Sequence, residues 1–254
     1  MAVRGGGAWP GVPEAPLGER AALAHLRALA EEGRKPQLGI VGGTFDPIHR
    51  GHVEAGLAAR DELGLDALLF MPAGVPSFKR DAHLAGGADR LAMARLATAG
   101  LPGVVGVSER EVARPGITFT ADTLADLTRV CPPGTRLTFV LGADSLETLP
   151  LWHDAPTIAR LARIAVATRA GHDVSSALGR LDASGLGFDA VVLARRVADV
   201  SSTQVRALVR AGRPVEGLVG PLVAAYISEH GLYGVPLLAA DTERTIRKEP
   251  FDGR

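Results

Sequence analysis

The sequence predicts an α/β protein with a doubly wound parallel sheet, and three observations support this fold class. Short apolar segments recur without polar alternation, which is typical of strands covered on both faces. Segments of helical length and amphipathic spacing separate them. This alternation continues from Gln37 to Gly234, which favours parallel strands joined by right-handed crossover helices.

Six strands and five intervening helices are predicted in chain order. The strands cover residues 38–41, 67–71, 104–107, 136–142, 163–168 and 190–194. The helices cover residues 51–64, 87–99, 120–130, 155–161 and 174–183. After the last strand come two helical segments, "SSTQVRALVRAG" and "GPLVAAYISEHGLYG". We expect this helical C-terminal part to close the domain.

The chain divides into three predicted regions. Residues 1–36 form an N-terminal extension, whose first 16 residues are Gly/Pro-rich and expected to be disordered. A helix is predicted in its second half, from Leu17 to Gly33. Residues 37–235 form the α/β domain. Residues 236–254 form a charged tail without periodicity, which we expect to be loosely ordered.

Composition limits the classes of function. Lys plus Arg and Asp plus Glu number 28 each, so no overall field attracts nucleic acid or a membrane surface, and any anion site must be local. Cys131 is the only cysteine, as expected in a reducing cytoplasm. We find neither a membrane-spanning apolar run nor a signal peptide. The sequence leaves the oligomeric state open and allows a homo-oligomer.

The segment "GGTFDPIHRGHVEAG" (42–56) leads from the first predicted strand into the first helix after it. Backbone N–H groups at such a turn point into the ligand crevice, and the helix dipole adds positive potential. Gly42 and Gly43 remove side chains where a ligand would approach closely. His49 and His52 lie three residues apart, so both can face one anion. They can stabilise charge that develops in phosphoryl or nucleotidyl transfer.

Two other interpretations of the histidine pair stay open at this point. A zinc pair would need further ligands, and we see no third ligand at usable spacing. We therefore predict no metal held by the protein itself. Alternatively, the two histidines only cap the helix that begins here.

The run "GGTFDPIHRGH" resembles the signature of nucleotidyltransferases whose His-x-Gly-His element binds ATP, above all the bacterial nicotinate-nucleotide adenylyltransferases. The resemblance implies a Rossmann-like nucleotidyltransferase fold. It also implies transfer of the adenylyl group of ATP to nicotinate mononucleotide, giving deamido-NAD and diphosphate, with Mg²⁺ carried by the ATP. On this basis His49 and His52 are catalytic, and ATP binds at Gly42, Gly43, Thr44 and Phe45.

A second element, "VSSTQVR" (200–206), follows the last predicted strand. Ser201 and Thr203 are good N-cap residues, and Arg206 lies about one turn into the next helix. Hydroxyls, free N–H groups and a guanidinium suit a triphosphate. By itself, this pattern also fits an ordinary capped helix with a surface arginine. The resemblance implies that Ser201, Thr203 and Arg206 hold the ATP phosphates opposite the histidines.

A third element, "LGADSLETLPLWHDA" (141–155), lies at the end of the fourth predicted strand. Gly142 permits close approach, and Asp144 can accept hydrogen bonds from ribose hydroxyls. Trp152 offers a flat face for a pyridinium ring, although a core tryptophan is the alternative. The resemblance implies that Gly142 and Asp144 contact the adenosine. It also implies that Trp152 lines the nicotinate pocket, where the backbone of His153 reads the carboxylate.

Two loops depart from the family pattern. In "MPAGVPSFKRD" the usual histidine before the lysine is replaced by Phe78, and Lys79 keeps its predicted catalytic place. In "GITFTADTL", Phe119 replaces a tyrosine, and Thr120 is predicted to reach the nicotinate side. Arg169, after the fifth predicted strand, is either a phosphate contact for the nicotinate nucleotide or a solvated arginine.

Three other classes of protein could share part of this pattern. An adenylyltransferase for nicotinamide mononucleotide or phosphopantetheine would share His49 and His52, although the tryptophan element argues against the pantetheine substrate. A non-catalytic nucleotide-binding regulator would not need donors on both sides of an α-phosphate. A dinucleotide-dependent oxidoreductase fails because "GGTFDP" is not Gly-x-Gly-x-x-Gly.

Overall fold

The computed structural model describes residues 17–76, 84–171 and 173–234. The strands are β1 (Gln37–Gly43), β2 (Ala67–Pro72), β3 (Val75–Pro76), β4 (Val105–Val107), β5 (Ile117–Thr118), β6 (Arg136–Gly142), β7 (Ala162–Ala167) and β8 (Ala190–Val192). The helices are α1 (Leu17–Glu31), α2 (Arg50–Leu63), α3 (Gly87–Thr98), α4 (Arg110–Ala113), α5 (Thr120–Val130), α6 (Ala143–Leu146), α7 (Ala155–Leu161), α8 (Ser175–Ala183), α9 (Ser202–Arg210), α10 (Glu216–Val219) and α11 (Pro221–Glu229). Short 3-10 turns cover Leu149–Leu151 and Leu232–Gly234.

Six strands form one parallel sheet in the order β4-β2-β1-β6-β7-β8. The chain runs outward from β1 through β2 to β4, and then returns to β6 on the other side of β1. The strand order therefore reverses between β1 and β6. This confirms the predicted doubly wound sheet, because each of its six strands falls at a predicted segment.

The sheet is buried on both faces, which explains the unalternating apolar segments. All six residues of β2 are buried. Leu68 and Phe70 belong to a cluster that includes side chains of α2, α3, α9 and α11. Leu69 and Met71 belong to a second cluster that includes side chains of α1, α5, α7 and α8. The C-terminal helices α9 and α11 thus close the first of these cores, as the sequence predicts.

Several short elements were not predicted. The strands β3 and β5 pair in parallel as a separate two-stranded sheet, with Val75 opposite Ile117 and Pro76 opposite Thr118. Two-residue strands are too short to show a period in the sequence. Their pairing joins the loop after β2 to the segment that enters α5, and so fixes one wall of the cleft described below.

Helix α1 lies within the predicted extension and packs on β2 and β4. Ala22, Leu23 and Leu26 are buried in the same core as the strands. A Cβ atom at Gly18 would lie 1.7 Å from the Val107 carbonyl oxygen, so only glycine permits this approach of two backbones. The helix therefore shares the core of the sheet. The predicted disordered leader 1–16, Lys79 and the predicted tail 236–254 lie outside the described residues.

A buried ion pair fixes the start of α1. The Glu19 carboxylate is fully buried and accepts hydrogen bonds from Arg110 Nε and Nη2, at 3.0 and 2.6 Å. The Ser108 hydroxyl donates to the same carboxylate. A buried carboxylate requires such partners, because its loss of hydration is otherwise uncompensated.

Across the three described ranges, no helix is both long enough and apolar enough to cross a lipid bilayer.

We expect Arg110→Ala to lower the free energy of unfolding by about 3–5 kcal/mol, because it leaves the Glu19 carboxylate buried and unpaired. Urea denaturation followed by circular dichroism measures this change. Arg129→Ala is the control, since the Arg129 side chain is 69% exposed in its ion pair with Asp126 and should cost at most about 1 kcal/mol. Equal losses in the two variants would contradict the role given to the buried pair.

Candidate functional site

A cleft of about 500 Å³ opens at the carboxyl ends of β1 and β6, where the strand order reverses. This is where ligands bind in open parallel sheets. Every predicted site residue within the described part of the chain lines this cleft. They are Gly42, Gly43, Thr44, Phe45, His49, His52, Thr120, Gly142, Asp144, Trp152, His153, Arg169, Ser201, Thr203 and Arg206.

Packing leaves little room for a side chain at either of the two glycines at the end of β1. A Cβ atom at Gly42 would lie 2.6 Å from the Phe139 ring, and one at Gly43 would lie 2.6 Å from the Phe45 ring. Phe45 is itself buried, with a left-handed backbone (φ 53°). From the sequence we predict that these glycines make room for a ligand. In the structure, the close approach of the two phenylalanine rings is a separate reason for the absence of side chains here.

His49 and His52 stack against each other at the start of α2. Their ring centroids are 3.7 Å apart and the rings are inclined by 25°. The His49 backbone N–H donates to Nδ1 of His52 at 3.2 Å. His52 therefore caps the start of α2, as the capping interpretation predicts, and it also lines the cleft. Because Nδ1 accepts, a neutral His52 carries its proton on Nε2 and presents an N–H donor there.

Gly51, between the two histidines, allows a close contact with the loop that precedes α9. A Cβ atom at this position would lie 3.0 Å from the Ala198 carbonyl oxygen and 3.2 Å from Nδ1 of His49. Both contacts are closer than a side chain normally tolerates. The glycine between the histidines thus allows the loop before α9 to press against the first turn of α2.

His49 is held as a neutral imidazole. Its side chain is buried, and burial together with the nearby Arg169 charge lowers its pKa to about 4. Its Nδ1 atom is buried and makes no hydrogen bond to the part of the chain that the structure describes. At neutral pH this residue therefore acts as a hydrogen-bonding group and carries no charge.

The element around Arg206 reaches the first motif directly. Ser201 is the N-cap of α9 and accepts a hydrogen bond from the Gln204 N–H at 3.1 Å. Arg206 Nη1 donates to the Asp46 carbonyl oxygen at 2.6 Å, across 160 residues of sequence. Arg206 Nη2 donates to Thr203 Oγ1 at 3.3 Å. The guanidinium thus lies beside the histidine loop, in the same cleft.

Acidic side chains on α2 hold the loop that leads to α9. Glu54 Oε2 accepts a hydrogen bond from the Ala198 N–H at 2.6 Å. The two oxygens of Glu62 accept from the N–H groups of Ala194 and Arg195, at 2.7 and 2.9 Å. These bonds satisfy backbone N–H groups that lie beyond the end of β8 and therefore have no partner in the sheet. As a result, one helix positions both motifs.

Arg169 lies between two carboxylates at the mouth of the cleft. Its Nη1 is 3.3 Å from Asp199 Oδ1, and its Nη2 is 3.8 Å from Asp144 Oδ2. The Arg169 side chain is 28% exposed, whereas that of Asp144 is 76% exposed. Arg169 is therefore a partly shielded, ion-paired cation rather than a freely solvated one.

Aromatic rings also line the cleft. Trp152 is partly buried, meets Phe139 edge to face at 6.2 Å, and donates from Nε1 to Thr148 Oγ1 at 3.2 Å. The exposed His153 ring stacks on Phe119 at 4.1 Å. The tryptophan thus belongs to the cleft wall and also packs against the core, so both interpretations of it hold in part.

Sequence reasoning missed several buried polar residues around the cleft. Glu111 lines it, accepts a hydrogen bond from Thr123 Oγ1 at 2.8 Å, and has a pKa raised by burial. Arg90 is buried and donates to four backbone carbonyls, those of Thr44, Ala73, Gly74 and Ala85. Neither residue stands in a recognisable motif, so only tertiary contacts identify it. Asp46 was also missed, although its position inside the first motif could have identified it.

Within the described residues, no three His, Cys, Asp or Glu side chains gather into a group that could hold a metal ion. Asp144, a carboxylate that lines the cleft, is paired with Arg169 at 3.8 Å.

Protonation of His49 should cost stability at acid pH. Its folded pKa of about 4 lies below the ordinary 6.5, so the unfolded state binds more protons between these values and the free energy of unfolding falls as the pH falls through this range. We expect His49→Gln to reduce the loss between pH 6.5 and 4.5 by about 2 kcal/mol. Urea denaturation of both proteins at the two pH values measures this difference. Equal losses would mean that His49 titrates normally in the folded state.

Comparison with known proteins identifies the family of this chain. A profile of the cytidylyltransferase-like family matches residues 40–208. A "Probable nicotinate-nucleotide adenylyltransferase" from Dehalococcoides mccartyi is 45% identical over 198 residues, which cover 77% of this chain and 96% of the relative. A protein of the same name from Gemmatimonas aurantiaca is 40% identical over 215 residues, covering 83% of this chain and 99% of the relative.

Solved structures share the fold. The Plasmodium falciparum nicotinic acid mononucleotide adenylyltransferase complexed with NaAD matches with a TM-score of 0.65 at 16% identity, covering 79% of this chain and 98% of that one. The same protein complexed with APC matches with a TM-score of 0.63. From the profile match and the close relatives together, we conclude that this chain belongs to the cytidylyltransferase-like family and, within it, to the nicotinate-nucleotide adenylyltransferases.

Proposed function

We propose that the protein transfers the adenylyl group of ATP to nicotinate mononucleotide, giving deamido-NAD and diphosphate. The observation that carries this proposal is the meeting of His49, His52 and Arg206 in one cleft that is also lined by Trp152. The names of the relatives point to the same reaction.

The reaction needs no covalent enzyme intermediate. The 5′-phosphate of the nicotinate nucleotide attacks the α-phosphorus of ATP in line, the bond to the β-phosphate breaks, and diphosphate leaves. Positioning two polyanions together in a shielded cleft can supply roughly 7–11 kcal/mol of the barrier. The protein's main task is then to hold both phosphates and to stabilise the charge that moves between them.

We assign this task to donors on both sides of the α-phosphate. His49, a neutral imidazole, and His52 provide N–H donors at the N-terminus of α2, whose dipole also favours negative charge. Arg206 provides a permanent positive charge from the other side. Lys79 is proposed as a further cation. The remaining ATP contacts are Gly42, Gly43, Thr44, Phe45, Gly142, Asp144, Ser201 and Thr203.

The acceptor nucleotide is proposed to lie on the aromatic side of the cleft. Trp152 would stack on the pyridinium ring, which is electron-poor and therefore attracted to an indole face. Thr120 and His153 flank the place of the carboxylate. Arg169 lies where it can exchange an exposed carboxylate for the phosphate of the nicotinate nucleotide.

Mg²⁺ is proposed to arrive with ATP, where it neutralises charge on the phosphates. We further propose that the enzyme works in the cytoplasm, since its only cysteine is unpaired and buried. A homo-oligomer is compatible with everything described above.

Replacement of His52 should remove transition-state stabilisation. We expect His52→Ala to lower kcat by about a hundredfold or more, which is the value of a lost oxyanion donor. Coupled detection of diphosphate under saturating Mg-ATP measures kcat. His230→Ala is the control, because His230 is exposed at the end of α11 and outside the cleft. Near-normal turnover of a folded His52→Ala protein would refute the assigned role.

The choice of acceptor tests the proposed reaction itself. We expect kcat/KM for nicotinate mononucleotide to exceed that for nicotinamide mononucleotide by at least about tenfold, because the site recognises a carboxylate. Each nucleotide is supplied with Mg-ATP and product formation is followed by chromatography. A reversed preference would assign the amide substrate. Tight Mg-ATP binding without diphosphate release would favour the regulator instead.

A further inference from the structure

Tyr233 connects the C-terminal end of the described chain to the first motif. It lies in the 3-10 turn after α11, with its backbone in the left-handed region (φ 62°), which is unfavourable for a residue with a bulky side chain. Its hydroxyl donates to Asp46 Oδ1 at 2.8 Å, across 187 residues. Tyr233 is not among the residues that line the cleft.

Asp46 is the residue through which this contact reaches the cleft. It is only 2% exposed, and a buried carboxylate needs partners on its oxygens. Oδ1 accepts hydrogen bonds from Tyr233 and from the Ala85 N–H at 3.0 Å. Oδ2 makes no hydrogen bond to the described residues, but Arg206 Nη1 lies 3.5 Å from it. The same Nη1 donates to the Asp46 carbonyl oxygen at 2.6 Å.

The tyrosine is suited to fix this carboxylate. Burial and the neighbouring Asp46 charge raise the pKa of Tyr233, so the phenol remains protonated and donates. With two donors on Oδ1, the plane of the carboxylate is set and Oδ2 faces the arginine. The Arg206 guanidinium therefore faces a carboxylate whose orientation is set by a hydroxyl that does not itself line the cleft.

We propose that Tyr233 is a positioning residue for ATP binding, which acts by fixing Asp46 and, through it, the guanidinium of Arg206. This inference rests on the proposed function, because it assumes that Arg206 binds the ATP phosphates. It predicts that loss of one phenolic oxygen weakens the ATP side of the reaction and leaves the acceptor side unchanged.

The chain provides a matched control. Its other tyrosine, Tyr226, is also partly buried in the C-terminal part and also donates to a carboxylate, Asp89 Oδ1, at 3.0 Å. Neither Tyr226 nor Asp89 lines the cleft or contacts Arg206. Tyr226→Phe therefore removes the same kind of hydrogen bond without touching the path to Arg206.

The experiment compares wild type, Tyr233→Phe, Tyr226→Phe and Arg206→Ala by calorimetric titration with Mg-ATP and by steady-state kinetics. We expect Tyr233→Phe to raise the Kd for Mg-ATP and its KM by about three- to tenfold, part of the effect of Arg206→Ala, with KM for nicotinate mononucleotide unchanged. We expect Tyr226→Phe to match wild type in all three quantities. The ring is retained, and calorimetric stoichiometry reports the folded fraction, so a partly unfolded sample still yields the Kd of the folded protein.

Unchanged Mg-ATP affinity in Tyr233→Phe, or equal weakening in Tyr226→Phe, would overturn the proposal. A rise in both KM values would also overturn it, because a merely structural role disturbs the whole cleft. Failure of the proposed reaction is distinguishable. In that case wild type forms no product from nicotinate mononucleotide, while the titration with Mg-ATP still decides whether Tyr233 acts through Arg206.

Discussion

The hydrogen bond from Arg206 to the Asp46 carbonyl is the contact on which the site depends, because it brings together two motifs that lie 160 residues apart. The loop that leads to α9 and Arg206 is itself held against α2. Glu54 and Glu62 bind backbone N–H groups of that loop, and Gly51 leaves space for the Ala198 carbonyl. Unpaired backbone groups beyond β8 thus provide a physical reason for the loop to dock on this helix.

Charge in the cleft is distributed unevenly, although the net charge of the whole chain is zero. Burial keeps His49 neutral, so this imidazole contributes a directed hydrogen-bonding group and no charge, and it stacks on His52. Among the described residues that line the cleft, the permanent positive charge comes from Arg206 and Arg169, each already close to a carboxylate. Under the proposed function, an incoming phosphate takes over part of this pairing, which reduces the cost of bringing a polyanion into the site.

The N-terminal helix belongs to the same structural unit as the sheet, although the family profile begins only at residue 40. Its side chains complete one of the two cores, and Glu19 is fully buried against Arg110. An element outside the recognisable family region therefore contributes to stability without lining the cleft. The cleft lies at the carboxyl ends of β1 and β6, and no residue of α1 lines it.

The sequence by itself determined the fold class, the six main strands and the three motifs, because unalternating apolar segments and helix-start residues are local signals. It also indicated a ligand end of the sheet. Only the tertiary structure decided how closely Gly42 and Gly43 approach buried rings, that His49 is neutral, and which hydrogen bonds Asp46, Arg90, Glu111 and Tyr233 make near the cleft. These properties depend on burial and on partners far along the chain. No local pattern of residues records such contacts, so folding must first bring the atoms together.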